Sequence, residues 1–208
     1  MSVIVDELQL GDPADTWRSA GFSVDPDDVC RVGEVRLRLT GAGTGILGWA
    51  LRGLPQDGPL DGVPTSRSAA AATEPATHPN GVTSIDHVVL LSPNLSRTVD
   101  ALDAVGLQSR RVRDAELGGR PMRQIFFRLG AVILEVVGSP DRSADGPSSL
   151  WGITYVVADI EATASFFGER TMPVKDAVQP GRRIATLRHR DLGMSVRTAM
   201  ISPPILSR

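Results

Sequence analysis

Glu135 sits inside an otherwise apolar run, Ala-Val-Ile-Leu-Glu-Val-Val at residues 131–137. A run of this length and β-branched content forms a strand. An ionised carboxylate buried in such a strand is costly unless it meets a partner or a metal, and in that position it can also work as a general base. His87 holds a comparable place in Ile-Asp-His-Val-Val-Leu-Leu at 85–91. Its imidazole either hydrogen-bonds a neighbour, Glu135 included, or meets a ligand. Arg123 and Arg183 open two matching strand-like runs. They are read either as bidentate receptors for a carboxylate or phosphate or as exposed strand-edge charges. Trp151 either stacks on a ligand or caps the core. His78, in a Pro-rich connection, and His189, in a turn, are read as solvent-exposed. Cys30 is the only cysteine, so one chain can form neither a disulfide nor a thiolate metal cluster, and the thiol is read as packed.

These residues need rigid elements to hold them. After the strand at 85–91, Asn94 supplies a helix cap, and Leu95, Val99, Leu102 and Val105 recur at helical spacing before Gly106. Strand-like runs follow at 107–113, 123–129 and 131–137, which completes a β-α-β-β-β unit. The same order then repeats. The second copy has a strand at 151–157, a helix opened by Asp159 with Ile160, Thr163, Phe166 and Phe167 on one face, and strands at 174–178, 183–187 and 194–200. Matching the ends of the copies lays Gly138-Ser139-Pro140 on Ile201-Ser202-Pro203. A degenerate third copy is read at the start of the chain: a strand at 6–10, a short helix at 13–20, and strands at 29–39 and 46–52. The expected organisation is an N-terminal piece at 1–55, a Pro/Gly/Ser/Ala-rich linker at 56–80, a first unit at 81–140 and a second at 149–204.

Composition narrows the function classes. The chain has 208 residues, 41% of them hydrophobic, and a net charge of −2. It is therefore large enough for one ordinary domain or two small ones. No cluster of Lys and Arg provides for a phosphate backbone or an anionic membrane, so nucleic acid is not an expected partner. No 18-residue apolar stretch excludes itself from water, so no membrane span is expected. No basic segment followed by a long apolar run opens the chain, which reads as cytoplasmic.

The string Ile-Asp-His-Val-Val-Leu-Leu-Ser-Pro-Asn-Leu at 85–95, the Glu in the strand at 131–137 and the duplication together resemble the vicinal-oxygen-chelate superfamily of glyoxalase-like, bleomycin-resistance-like and extradiol-dioxygenase-like proteins. The resemblance covers roughly the last 125 residues. It implies an α+β fold in which tandem βαβββ modules form a curled-sheet barrel around a cavity. It also implies a divalent metal (Fe, Zn, Ni or Mn) held by residues of the first and fourth strands. His87 matches the first-strand ligand and Glu135 the fourth-strand ligand. In the second unit Gly152 and Thr198 fall at those places, and neither replaces His or Glu, so the ligand set is incomplete. Two chains pairing their first units in a homodimer would bring two His87 and two Glu135 together.

Two functional readings follow. In one the chain acts on a small oxygenated metabolite by lyase, isomerase or dioxygenase chemistry at His87 and Glu135, with Arg123, Arg183, Trp151 and Thr198 contacting the substrate. In the other it is not an enzyme and sequesters a small molecule without metal, as bleomycin-resistance-like proteins do.

Overall fold

The computed structural model describes residues 2–205. The N-terminal part contains β1 (Ile4–Leu10), α1 (Ala14–Ser19), β2 (Val29–Val32), β3 (Val35–Leu39), β4 (Ile46–Arg52) and β5 (Thr65–Arg67). The first unit follows with β6 (Val82–Leu91), α2 (Leu95–Asp103), β7 (Ser109–Leu117), β8 (Arg120–Leu129) and β9 (Val132–Gly138). The second unit has β10 (Ser149–Val157), α3 (Ile160–Phe167), β11 (Lys175–Asp176), β12 (Arg183–Thr186) and β13 (Arg197–Ile201).

Period-two alternation decides what each strand buries. In β9, Val132, Leu134 and Val136 are buried while Ile133, Glu135 and Val137 are half-buried on the opposite face. β6 alternates the same way, with Val88 and Leu90 buried and His87, Val89 and Leu91 half-buried. Full burial of one such side chain contributes about 1.5–3 kcal/mol, so the alternation fixes the register and sets His87 and Glu135 on one face. The helices start where capping chemistry places them. The Asn94 side chain accepts from the Arg97 N–H at 3.1 Å, and Asp159 accepts from Glu161 and Ala162 at 2.9 and 3.1 Å.

The eight strands of the two units form one curled sheet in the order β11-β12-β13-β10-β6-β9-β8-β7. In each unit the first strand is parallel to the last (β6 with β9, β10 with β13), and the two first strands meet antiparallel. The N-terminal strands form a smaller sheet in the order β2-β3-β1-β4-β5. There β1 is parallel to β3 and antiparallel to β4, and β4 is parallel to β5. This repeats the middle of the large sheet, with β4 standing where β10 stands. The strand at 46–52, read from sequence as the last of a third copy, therefore opens a fourth and more reduced one. Its closing strand, β5, lies within the Pro/Gly-rich stretch at 56–80, where turn residues mask a three-residue strand pinned by the Trp49 indole donating to Thr65 Oγ1 at 2.7 Å.

The two sheets share a core. Trp17, Phe22 and Tyr155 stack with ring centroids 4.6 Å (Trp17–Phe22) and 5.4 Å (Phe22–Tyr155) apart, and all three are buried. Beside them the buried Asp12 carboxylate accepts the Trp17 indole N–H at 3.1 Å, the Ser195 backbone N–H at 3.0 Å, and the Ser195 hydroxyl. Asp12→Ala strands these donors, and the expected loss is roughly 2 kcal/mol or more, read as a lower midpoint in urea unfolding. Cys30 is buried, and burial pushes its thiol up to about 12, which leaves it inert at neutral pH. Among the described residues, no helix is long and apolar enough to cross a membrane.

Candidate functional site

The half-buried face of β6 and β9 opens into a cavity of about 510 Å³. Its floor carries His87, Ile133 and Glu135, with Gln124 and Phe126 from β8 beside them. Its far wall is made by residues 177–180 with Ile184 and Ile201 of the second unit. His87 Nε2 faces Glu135 Oε2 at 3.5 Å. Both side chains are largely shielded, at 18% and 12% exposure.

Each is held from behind. Asp86 Oδ2 lies 2.8 Å from His87 Nδ1, which puts the Nδ1–H on that side and directs Nε2 into the cavity. Adjacent residues of a regular strand point to opposite faces, so this contact needs an irregularity. The ladder supplies it: Ile85 pairs with Tyr155 and His87 with Thr154, leaving Asp86 unpaired in a β-bulge. The buried Arg182 then closes on Asp86, its Nη1 donating to Oδ1 at 2.6 Å while Nε and Nη2 donate to the Ser202 carbonyl at 2.9 and 2.7 Å. Burial alone would raise the Asp86 pKa, but the hydrogen bonds from His87 and Arg182 hold the carboxyl below the ordinary aspartate range. On the other side the Gln124 amide N–H donates to Glu135 Oε1, and its carbonyl accepts from Arg113 Nε at 2.7 Å. An unbroken polar chain thus runs Arg182, Asp86, His87, Glu135, Gln124, Arg113.

The residues singled out from sequence are distributed unevenly. His87 and Glu135 come together. Arg123 forms a two-pronged ion pair with Asp114 at 2.6 and 3.0 Å, and Arg183 pairs with Glu161, both at the surface and neither lining this cavity. The arginines that do line it are Arg110, Arg111, Arg113 and Arg128. Trp151 and Thr198 line a second cavity on the same concave face. His78 is buried, accepting from the Ser23 N–H at 3.0 Å and lying 3.1 Å from the Arg31 carbonyl, so its role is structural. His189 is half-buried in a short 3₁₀ turn.

Ladder register also shows what became of the repeated positions. His87 lies opposite Thr154 and Val89 opposite Gly152, so the twofold that exchanges β6 and β10 carries His87 onto Gly152. Val89 neighbours Glu135, and Thr154 neighbours Ala199, so Glu135 maps onto Ala199. Thr198, placed there by the sequence match, is one residue off. It is buried, and its hydroxyl donates to the Val196 carbonyl at 3.0 Å. The N-terminal sheet has the same bulge: Asp6 stands unpaired between Val5 and Glu7. Glu7 there replaces His87, and Arg38 replaces Glu135 by its pairing with Gln9. Those two side chains close on each other at 3.0 and 3.1 Å, sealing the N-terminal counterpart of the site.

No family model matches the sequence, and no curated protein does. Solved structures do match. A variant of 4-hydroxymandelate synthase from Streptomyces coelicolor is 13% identical with a TM-score of 0.65, covering 97% of this chain and 93% of that one. The chain has the vicinal-oxygen-chelate fold. Two other structures of that fold agree over nearly the whole length of this chain. Catechol 2,3-dioxygenase is 11% identical with a TM-score of 0.60, over 99% of this chain and 92% of that one. A variant of homoprotocatechuate 2,3-dioxygenase from B. fuscum is 12% identical with a TM-score of 0.59, over 98% and 71%.

The vicinal-oxygen-chelate fold implies a divalent metal, and the residues present test that. His87 Nε2 and Glu135 Oε2 are spaced as two ligands of one ion would be. Among the described residues, however, no three His, Cys, Asp or Glu side chains converge, and the matching second-unit positions are Gly152 and Ala199. Gly152 has no room for a ligand, because a Cβ there would lie 2.9 Å from the Arg197 carbonyl oxygen. Two protein donors fall short of the three that a catalytic metal site ordinarily has, so the donor set does not fit a resident ion.

Proposed function

We propose that the chain binds a small oxygenated anion in the cavity over β6 and β9 and moves a proton on it with the His87–Glu135 pair, as a lyase or isomerase without a resident metal. The observation that carries this reading is the facing of His87 Nε2 and Glu135 Oε2 at 3.5 Å inside a largely shielded cavity, His87 anchored by Asp86 behind it and Glu135 by Gln124 beside it. A carboxylate held there can take a proton from a carbon next to a carbonyl, and the bare Nε2 of His87, with Nδ1–H held by Asp86, can receive that proton from Glu135 and return it to the substrate. Arg110, Arg111 and Arg128 make no ion pair among the described residues. They suit a substrate carboxylate and the negative charge that develops on an enolate oxygen. Phe126, Ile133 and Ile184 supply the apolar remainder of the wall.

The second reading, sequestration without turnover, is favoured by the donor-free positions Gly152 and Ala199. One experiment separates the two. Small oxo-acids and acyl phosphates are screened for a rise in melting temperature, and each hit is incubated in D2O while deuterium incorporation is followed by NMR. Turnover predicts exchange that falls about 10²–10⁴-fold in Glu135→Gln while the melting shift persists. A melting shift without exchange in the wild-type chain supports sequestration, and binding that appears only when a divalent metal is added overturns the metal-free reading.

A further inference from the structure

The concave face carries a second cavity, of about 490 Å³, over the second unit. It is independent of the His87–Glu135 chemistry, because the positions equivalent to those two residues are Gly152 and Ala199. Its floor therefore carries no acid–base pair: Gly152 has no side chain and Ala199 only a methyl, beside Val89 and the hydroxyls of Thr154 and Thr186. One wall is Trp151, 43% exposed, with the Arg197 guanidinium stacked 4.7 Å from the ring centroid. Met172, 45% exposed, adds a second apolar surface.

Around this apolar bed stand Arg188, Arg190 and Arg197 against a single carboxylate, Asp191. Among the described residues none of the three arginines forms an ion pair. The excess positive charge also reaches His189, whose pKa is lowered by burial and by Arg197 and Arg190. An exposed indole, a floor of small side chains and three arginines without a carboxylate partner complement a ligand that is flat, apolar and negatively charged. We propose that this half of the sheet is a separate binding site for an aromatic carboxylate.

Trp151 reports on the site directly, since the other two tryptophans, Trp17 and Trp49, are 0% and 1% exposed. Titration with 4-nitrobenzoate, a quencher of indole emission, is expected to quench Trp151 saturably, and 4-nitrobenzyl alcohol, its neutral counterpart, is not. Affinity for the acid is expected to fall at least tenfold in the double variant Arg188→Gln/Arg190→Gln and to change less than twofold in Arg110→Gln/Arg128→Gln, whose arginines line the first cavity and not this one. If the double variant does not fold, raising the salt on the wild-type chain from low concentration to about 0.5 M must weaken the acid selectively. Quenching that is linear and equal for acid and alcohol, or insensitive to salt, overturns the proposal. So does quenching that survives these arginine changes and weakens instead in Arg110→Gln/Arg128→Gln, which would place the acid in the first cavity.

Discussion

Asp86→Ala is expected to destabilise the fold by about 3–5 kcal/mol, because it leaves the Arg182 guanidinium, 7% exposed, buried without its counter-charge. The effect has a pH signature. The Asp86 carboxyl is held below the ordinary aspartate value, with burial opposing and the bonds from His87 and Arg182 prevailing. A carboxylate with a lowered folded-state pKa contributes stability that is present above its unfolded value, about 3.9, and lost as the pH falls through the folded value. Wild type and Asp86→Asn should therefore differ most in unfolding free energy above about pH 4 and converge in more acid solution. A constant gap across that range would show that the carboxylate charge is not what Arg182 and His87 rely on. Because Asp86 and Arg182 act as a unit, removing both should cost less than the two single losses added together. The double variant Asp86→Leu/Arg182→Met, followed by urea unfolding, tests that directly.

Much of the architecture is legible in the amino-acid order, for reasons that Asn94 and Asp159 illustrate. Helix caps and period-two or helical spacing are local signals, and both units carry them in the same sequence. Pairing geometry is not local, and there the reading thins. Alternation sends Asp86 to the face opposite His87; only the bulge opposite Tyr155 turns it back, and nothing in the residue types announces a bulge. Gln124 and Arg182 reach the polar chain across ladders and a turn, so their roles appear only once β8 lies beside β9 and the turn before β12 folds over β6. Arg123 and Arg183 look like a matched rim because they open matched strands, yet each meets an acid, Asp114 or Glu161, that the pattern does not connect to it. The offset between Thr198 and Ala199 has a similar origin. Matching strand ends is accurate to about one residue, and a slip of one residue turns a side chain to the opposite face.

Glu135 offers the second large effect, in which stability and function should move in opposite directions. Its carboxylate, 12% exposed, accepts the Gln124 amide and faces His87. Glu135→Leu removes a poorly solvated charge, a change that is often neutral or stabilising by about 1–4 kcal/mol when the shape is kept. The single change also strands the buried Gln124 N–H, which costs about 1–3 kcal/mol and offsets the gain. Gln124→Leu/Glu135→Leu removes both polar groups together, and Arg113, the remaining partner of Gln124, is half-buried and within reach of water. The double variant is therefore expected to melt above the single variant and at or above the wild-type chain. Deuterium exchange on any ligand found for the cavity should nevertheless fall about 10²–10⁴-fold in both. A chain that gains stability as it loses its carboxylate keeps that carboxylate for chemistry rather than for folding. If both variants instead melt well below the wild-type chain, Glu135 is a structural partner of Gln124 and His87, and the acid–base role falls with it.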